Sequence, residues 1–286
     1  MPELPEVETM RRGIAAIVGG RIIAVQRPPC RLKPIAVSPS LRTFRNRVLQ
    51  RRVAAVERCG KRLVVRLDDR AAIVFEPRMT GLVLLEDPPD HDHLRFRLGL
   101  ADVAASQLSY WDRRGLGSVR LMAVAEFQTW FAAGRLGPDA LQISRAELRQ
   151  QLGASRRAIK VALLDQQALA GIGNLYASEI LHVAGLHPTI PCNRLTGRQW
   201  QRLHTAIRDV LDEAIRYEGS TLADGTYRNA LNHPGRYQQH HRVYAREAQP
   251  CPSCGRGTVQ RMVQAQRATF FCPRCQARRE RRIAPL

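Results

Sequence analysis

The chain has 286 residues and carries 45 Lys and Arg against 25 Asp and Glu, a formal net charge of +20. A hydrophobic content of 44% argues against wholesale disorder, and no apolar run is long enough to predict a membrane span. The length allows one large or two medium domains, and the excess positive charge favours a polyanionic partner such as nucleic acid.

The first half of the chain is predicted to be mainly β-structure after one helix. The start, MPELPEVE, is acidic and interrupted by prolines, unlike a signal peptide, so we expect an intracellular protein. Apolar residues recur near the helical period over 9–18. Short β-rich runs then alternate with turn residues, and this spacing predicts a β-sandwich or barrel rather than a parallel sheet. Examples of these runs are 21–25, 62–67, 71–75, 82–85 and 94–98.

The second half is predicted to be helical beyond the turn at Leu136-Gly-Pro-Asp139, a candidate domain boundary. Ser144 and Glu147 have the spacing of a capping box at the start of a helix over 144–152. Residues 218–249 show no period and are predicted to form a long loop. Further helices are predicted over 156–167, after Gly171-Ile-Gly-Asn174 as far as Gly185, and over 196–217.

Four of the seven cysteines have the spacing of a zinc site. Cys251 and Cys254 form one Cys-x-x-Cys pair, and Cys272 and Cys275 form a second pair 17 residues further on. Two such turns complete a tetrahedral zinc shell with no open position, so the metal is expected to be structural. Between the pairs, β-branched and aromatic residues over 259–271 predict a two-stranded hairpin.

The second residue of the chain is a candidate nucleophile. Pro2 follows the initiator methionine, and removal of Met1 would leave a secondary amine at the chain end. An α-amino group has a pKa of roughly 8, so part of it is neutral at pH 7. Such an amine condenses with an aldehyde to an iminium ion, and the adjacent Glu3 could move a proton. Alone, a Met-Pro-Glu start is common and favours no special role.

Five stretches, in order and across essentially the whole chain, resemble the formamidopyrimidine-DNA glycosylase family. These are bifunctional enzymes that excise oxidised purines and then nick the strand. The stretches are Met1-Pro-Glu-Leu-Pro-Glu-Val-Glu-Thr9, Cys59-Gly-Lys-Arg-Leu63, Gly171-Ile-Gly-Asn-Leu-Tyr-Ala-Ser-Glu179, Val243-Tyr-Ala-Arg246 and Gln266-Arg-Ala-Thr-Phe-Phe-Cys272.

The resemblance implies a role for individual residues. Pro2 would attack the anomeric carbon of the damaged nucleotide and form a Schiff base, and Glu3 would protonate the sugar ring oxygen or otherwise shuttle protons. Lys61 would act near the abasic sugar during β-elimination. Arg267 would grip phosphates and assist δ-elimination, while Asn174 would contact a backbone phosphate.

The family also fills the gap left by an extruded base with a Met, an Arg and a Phe, since a glycosylase must take its target out of the stack. Met79 fits the first of these. The family loop Asp-Pro-Arg-Arg-Phe-Gly reads Asp-Arg-Arg-Gly-Leu-Gly over 112–117, so Arg114 keeps the arginine and Leu116 replaces the Phe. This departure leaves the opposite-base preference open.

The remaining expected DNA contacts are His91, in a His-Asp-His stretch, and Arg156, which stands near a position where the family has a lysine. A lesion-covering loop is expected within 220–237. The Gly-x-Gly-Asn174 turn exposes backbone N–H groups to an anion, although such a turn alone also suits helix packing.

The sequence therefore predicts an α+β protein in three parts. A catalytic N-terminal β-sandwich with flanking helices is expected over 1–138, a helix–two-turns–helix DNA-binding domain over 139–240, and a β-hairpin zinc finger over 241–286. We expect a cytoplasmic, nucleoid-associated monomer with one zinc that acts on oxidised or abasic sites in double-stranded DNA. Two alternatives stay open: an endonuclease-VIII-like glycosylase for oxidised pyrimidines, and a non-catalytic zinc-finger protein that binds damaged DNA.

Overall fold

The computed structural model describes residues 2–132 and 134–278; Met1, whose removal the sequence predicts, lies outside them. The chain forms two compact units. The first comprises Met1–Leu136 together with Glu213–Gln239, and the second comprises Gly137–Asp212 together with His240–Leu286. A segment from the second half of the chain thus completes the first unit. The three-part division over 1–138, 139–240 and 241–286 stays a prediction.

The first helix begins earlier than the apolar period suggests. Helix α1 spans Leu4–Gly13 and is followed by a short 3-10 turn over Ala15–Ile17, where the period predicts one helix over 9–18. Proline in the first helical turn is tolerated, because its missing N–H has no intrahelical partner there. A capping box between Glu3 and Glu6 starts the helix at this point.

Along the described residues up to 132, nine strands and two helices follow, and the strands form two β-sheets. The elements are β1 (Arg21–Gln26), β2 (Ala36–Ser38), α2 (Leu41–Val48), β3 (Val53–Cys59), β4 (Arg62–Leu67), β5 (Ala72–Glu76), β6 (Gly81–Leu84), β7 (Leu94–Ala101), β8 (Gln107–Asp112), β9 (Ser118–Met122) and α3 (Val124–Ala132). The first sheet has the strand order β1-β7-β8-β6, and the second has the order β2-β9-β5-β4-β3. All neighbouring strands are antiparallel except β2 and β9.

The two sheets share one core, which confirms the predicted sandwich. Phe75 of the second sheet lies 6.3 Å from Phe96 and 5.8 Å from Tyr110 of the first, measured between ring centroids. Phe44 of α2 packs on Phe96 at 5.2 Å, and Met10 of α1 is fully buried in the same cluster. Side chains of both sheets therefore meet in one apolar layer.

The second half of the chain is mainly helical as far as residue 216. The expected capping box is present, since Glu147 N donates to Ser144 Oγ at 3.2 Å and Ser144 N donates to Glu147 Oε2 at 2.9 Å. Gly185, with φ +62°, follows α6 in the left-handed conformation typical of a helix C-terminus. The helices are α4 (Arg145–Leu152), α5 (Ile159–Leu163), α6 (Asn174–Val183) and α7 (Gly197–Arg216).

The helix predicted over 156–167 is shorter in the structure, which shows only α5 there. Before it, Ala158 forms an isolated antiparallel bridge with Pro191. After it, Asp165 Oδ1 accepts a hydrogen bond from Gln167 N at 3.0 Å and closes a turn. These side-chain and bridging bonds compete with helical ones at both ends.

The predicted finger hairpin is confirmed. Strand β10 (Gln260–Gln264) pairs antiparallel with β11 (Arg267–Phe271). Ala265 and Gln266 at the tip both have positive φ, as a two-residue hairpin turn of the favoured twist requires. Along 2–132 and 134–278, no helix combines the length and apolar character needed to cross a bilayer.

Candidate active site and nucleic-acid interface

Pro2 is buried immediately ahead of α1 and lines a small cavity in the first unit. The cavity is narrow, with an internal volume of about 10 Å³. Met79, Thr80 and Leu82 form one part of its wall, and residues of the expected lesion-covering loop form another: Ser220, Leu222, Asp224, Thr226 and Tyr227. The structure therefore brings the candidate nucleophile, one candidate gap-filling residue and the loop expected to cover a lesion to one place.

Two buried carboxylates hold this start of the chain. Glu3 is 4% exposed and Glu6 is 2% exposed. Glu6 Oε2 accepts a hydrogen bond from Glu3 N at 2.8 Å, and Glu6 Oε1 accepts one from Ser220 N at 2.9 Å. Tyr227 donates its hydroxyl to the Glu6 carbonyl at 3.3 Å. Glu6, to which sequence reasoning assigned no role, thus links Pro2 and Glu3 to the 220–237 loop.

A third carboxylate, Glu8, joins α1 to the hairpin that carries Lys61. Its oxygens accept hydrogen bonds from Arg11 at 2.8 Å, Arg12 at 2.9 Å and Arg58 at 3.2 Å. Burial alone would raise the pKa of Glu8, but the hydrogen bonds from Arg11 and Arg12, together with the charges of Arg11 and Arg58, outweigh it and lower the pKa to about 2. Glu8 is therefore ionised at neutral pH.

Lys61 lies in the tight turn between β3 and β4 and is half-buried. Gly60 precedes it with φ +58°, a left-handed conformation that favours glycine. Arg58, besides pairing with Glu8, donates to the Gly60 carbonyl at 3.0 Å. The position of the turn is thus coupled through Arg58 to the helix that follows Pro2 and Glu3.

The candidate gap-filling residues lie on two surface turns of the same unit. Met79 precedes β6 and is 37% exposed, and Leu116 lies between β8 and β9 and is 40% exposed. Arg114 is exposed beside Leu116. His91 is exposed in the turn before β7, while His93 is held by Asp90 at 2.7 Å.

In the second unit, the candidate phosphate contacts Asn174 and Arg267 come together through a buried lysine. Lys160 is 0% exposed, and its Nζ donates to Asn174 Oδ1 at 2.6 Å. Asn174 Nδ2 in turn donates to the Ala268 carbonyl at 2.9 Å, next to the exposed Arg267 at the start of β11. Asn174 is the first residue of α6, the end at which the helix dipole favours an anion. Arg156 is exposed just before α5.

The four patterned cysteines hold one structural zinc. Their sulfur atoms lie within 4.8 Å of one another, and the pairs Cys251–Cys275 and Cys254–Cys272 are each 3.8 Å apart. Tetrahedral zinc with Zn–S bonds of about 2.3 Å separates its sulfurs by about 3.8 Å, so the donor set fits the metal.

Helix α6 also anchors the chain that leads into the finger. The buried Glu179 carboxylate accepts hydrogen bonds from the backbone N–H groups of Arg242, Val243 and Tyr244 at 2.8–2.9 Å. Burial raises the pKa of Glu179, and these donors offset part of that effect. His182 Nε2 lies 3.4 Å from Cys251 Sγ. The finger and Asn174 thus share one supporting helix.

Three family domains match consecutive parts of the chain. Residues 1–119 match the formamidopyrimidine-DNA glycosylase N-terminal domain, residues 136–225 match the H2TH domain of that enzyme, and residues 248–278 match the zinc finger found in FPG and IleRS.

Curated relatives are similar over nearly their full length. The formamidopyrimidine-DNA glycosylase of Chloroflexus aurantiacus is 38% identical over 279 residues, which cover 96% of this chain and 98% of the relative. The protein of the same name from Thermus thermophilus is 39% identical over 280 residues, with the same coverage of both chains.

Solved structures give the same result. The crystal structure of the MutM (Fpg) protein from Thermus thermophilus matches with a TM-score of 0.82 at 36% identity, covering 98% of this chain and 100% of that one. The complex between Lactococcus lactis Fpg and DNA containing an abasic site matches with a TM-score of 0.83 at 30% identity, covering 96% and 100%.

Proposed function

Because this chain belongs to the formamidopyrimidine-DNA glycosylase family, we propose that it removes oxidised purines such as 8-oxoguanine and formamidopyrimidines from double-stranded DNA and then cleaves the abasic strand. The activity belongs in the cytoplasm, in association with the nucleoid. The complexes of Lactococcus lactis Fpg with DNA containing an abasic site or Fapy-dG support the choice of DNA partner.

The observation that carries the proposal is the enclosure of Pro2. It lines a cavity bounded by Met79 and the 220–227 loop, and Glu3 beside it is buried. A secondary amine in a confined site, next to a carboxyl group and covered by a loop, suits attack on a sugar from which a base must be displaced. Loss of Met1 is required, because only a free Pro2 nitrogen is nucleophilic.

The reaction begins when the Pro2 nitrogen lone pair attacks the anomeric carbon and the glycosidic bond breaks. The base departs with the bonding electrons, and Glu3 supplies a proton to the sugar ring oxygen as the ring opens. The resulting iminium ion withdraws electrons, so loss of a C2′ proton expels the 3′ phosphate. A second elimination expels the 5′ phosphate.

The cationic residues act on the phosphates in this scheme. Lys61 stabilises charge near the abasic sugar during the first elimination, and Arg267 grips the phosphates during the second. Asn174 binds a backbone phosphate at the start of α6, where the helix dipole favours an anion. Lys160 supports this contact, because its ammonium holds the Asn174 side-chain oxygen at 2.6 Å.

Borohydride trapping tests the proposal, because it reduces the iminium ion to a stable bond between protein and DNA. The wild-type chain is expected to form an adduct with duplexes that contain 8-oxoguanine or an abasic site. Pro2→Gly is expected to lose the adduct and to keep most of its affinity for damaged DNA, since affinity rests on phosphate contacts elsewhere.

A form that retains Met1 has no free Pro2 amine, and it too is expected to lose the adduct. Absence of any adduct with the wild-type chain, whose intact mass shows that Met1 is gone, refutes the enzymatic proposal and favours a non-catalytic damage-binding protein. Trapping with oxidised pyrimidines but not with oxidised purines indicates the endonuclease-VIII-like alternative.

A further inference from the structure

The two turns that carry the candidate gap-filling residues are joined by one buried carboxylate. Asp112, at the end of β8, is 0% exposed. Its Oδ1 accepts hydrogen bonds from the Thr80 hydroxyl at 2.5 Å and from Arg114 N at 3.2 Å, and its Oδ2 accepts one from Gly117 N at 2.8 Å. The carboxylate therefore holds the residue after Met79 and both ends of the segment that contains Leu116.

Thr80 strengthens this junction, because its hydroxyl has two partners. Besides donating to Asp112, Thr80 Oγ1 accepts a hydrogen bond from Arg114 N at 3.0 Å. Thr80 is 3% exposed, so water does not readily replace these bonds. The backbone N–H of Arg114 and the residue after Met79 are thus held by the same two buried atoms, Thr80 Oγ1 and Asp112 Oδ1.

Arg95 holds the same segment from its other side. This arginine is 3% exposed, and its Nε donates to the Asp112 carbonyl at 2.8 Å while Nη2 donates to the Arg113 carbonyl at 3.5 Å. Gly115 has φ +62°, and a Cβ there would lie 2.7 Å from the Lys33 carbonyl oxygen. Any side chain at 115 would therefore be strained and would collide with the neighbouring segment.

We propose that Asp112, together with Thr80 and Arg95, positions Met79, Arg114 and Leu116 as one wedge, and so controls how well the enzyme extrudes a base from intact duplex. This inference rests on the proposed function. Where the resembling family has a proline in this loop, Arg113 stands here; the hydrogen bonds of Asp112 and Arg95 hold the loop in place of that stiff residue.

The arrangement matters only when a base has to leave the stack. Inserting side chains between base pairs compensates for the unstacking that extrusion requires. A wedge displaced by about 1 Å can reduce a rate by about 100-fold. Elimination at an abasic site in single-stranded DNA needs no base extrusion, so it does not depend on the wedge.

Asp112→Asn keeps the size of the side chain but replaces one acceptor oxygen with an NH2 donor, so at least one of its three donors loses its acceptor. We expect this variant to excise 8-oxoguanine from duplex DNA at least about tenfold more slowly under single-turnover conditions. Cleavage of single-stranded DNA that carries a preformed abasic site is expected to change less than about twofold.

Arg95→Lys provides a second variant, which keeps the positive charge but loses the paired bonds to the Asp112 and Arg113 carbonyls and is expected to give the same selective loss. Ser109→Ala is the matched control. Ser109 lies in the same strand as Asp112 and is 0% exposed, and its hydroxyl has no hydrogen-bond partner within the described part of the chain. It is expected to retain both rates.

Thermal unfolding identifies which variants are folded. A selective loss of duplex excision in the folded variants supports the inference. Equal losses on both substrates, or unchanged duplex excision, overturn it. If the wild-type chain cleaves neither substrate, the proposed function itself has failed, and this result is distinct from both outcomes for the variants.

Discussion

Replacing Glu8 by Gln tests the link between α1 and the Lys61 hairpin. Glu8 has 8% of its side chain exposed and Arg58 has 5%, and the two atoms of their ion pair lie 3.2 Å apart. In Glu8→Gln, the buried Arg58 loses the charge of Glu8. Arg11 and Arg12 are more exposed, at 30% and 58%, so water can take over their hydrogen bonds.

The pKa of Glu8 sets the size of the effect. Its value falls from 4.5 in an unperturbed chain to about 2 in the folded protein. At about 1.4 kcal/mol per pKa unit, this shift corresponds to about 3 kcal/mol of folding free energy at neutral pH. Removal of one partner from a buried ion pair costs a similar amount, about 3–5 kcal/mol.

The direction of the pH dependence follows from the lowered pKa of Glu8. Glu8 contributes its stabilisation fully above pH 4.5, and the contribution is lost as the pH falls through about 2. The difference in unfolding free energy between wild type and Glu8→Gln, measured by urea denaturation, is therefore expected to be about 3 kcal/mol at pH 7. It is expected to shrink steadily as the pH falls from 4.5 towards 2.

Glu57→Gln is the control, because Glu57 also pairs with an arginine on this hairpin, Arg66, at 2.9 Å, but is 44% exposed. It is expected to cost less than about 1 kcal/mol. A difference for Glu8→Gln that stays constant between pH 7 and pH 2.5, or one no larger than that of Glu57→Gln, would refute this reasoning.

Two further predictions concern the second unit. Removal of zinc with a chelator is expected to unfold the finger over 248–278 and to abolish tight DNA binding. Fluorescence anisotropy measures the binding, and the zinc stoichiometry is determined on the same samples. A zinc-free chain that binds DNA with full affinity would contradict the placement of Arg267 on a metal-supported hairpin. Lys160→Met removes the ammonium that holds Asn174 Oδ1, and it is expected to weaken binding of a duplex with an abasic analogue by about tenfold. An unchanged dissociation constant would show that Asn174 needs no such support.

Local patterns in the sequence determined a good part of this protein. The Cys-x-x-Cys pairs, the capping box of Ser144 and Glu147, and the finger hairpin all depend on groups a few residues apart. Such interactions are encoded in spacing, because the chain between the partners is too short to arrange them differently. The spacing of the strands likewise predicted a sandwich or barrel, although it did not decide between the two or predict the order β1-β7-β8-β6.

Helix boundaries were predicted less well, and the reasons are specific. The period of the apolar residues alone placed the first helix too late in the chain, because a helix start depends on caps and on where a proline is tolerated. The helix predicted over 156–167 is only α5 in the structure, because the residues on either side of α5 form a bridge and a turn instead of helical hydrogen bonds. The apolar period carries no information about such bonds. Only the folded chain shows which of these bonds prevail.

The buried polar contacts around the site were decided by tertiary structure. Glu6 meets Ser220 across 214 positions of sequence, and Thr80 meets Asp112 across 32. Nothing in local spacing predicts these pairs, because a buried carboxylate requires donors but does not specify where in the chain they come from. The sequence thus indicated which residues are candidates for the chemistry, and the fold determined which neighbours hold them in place.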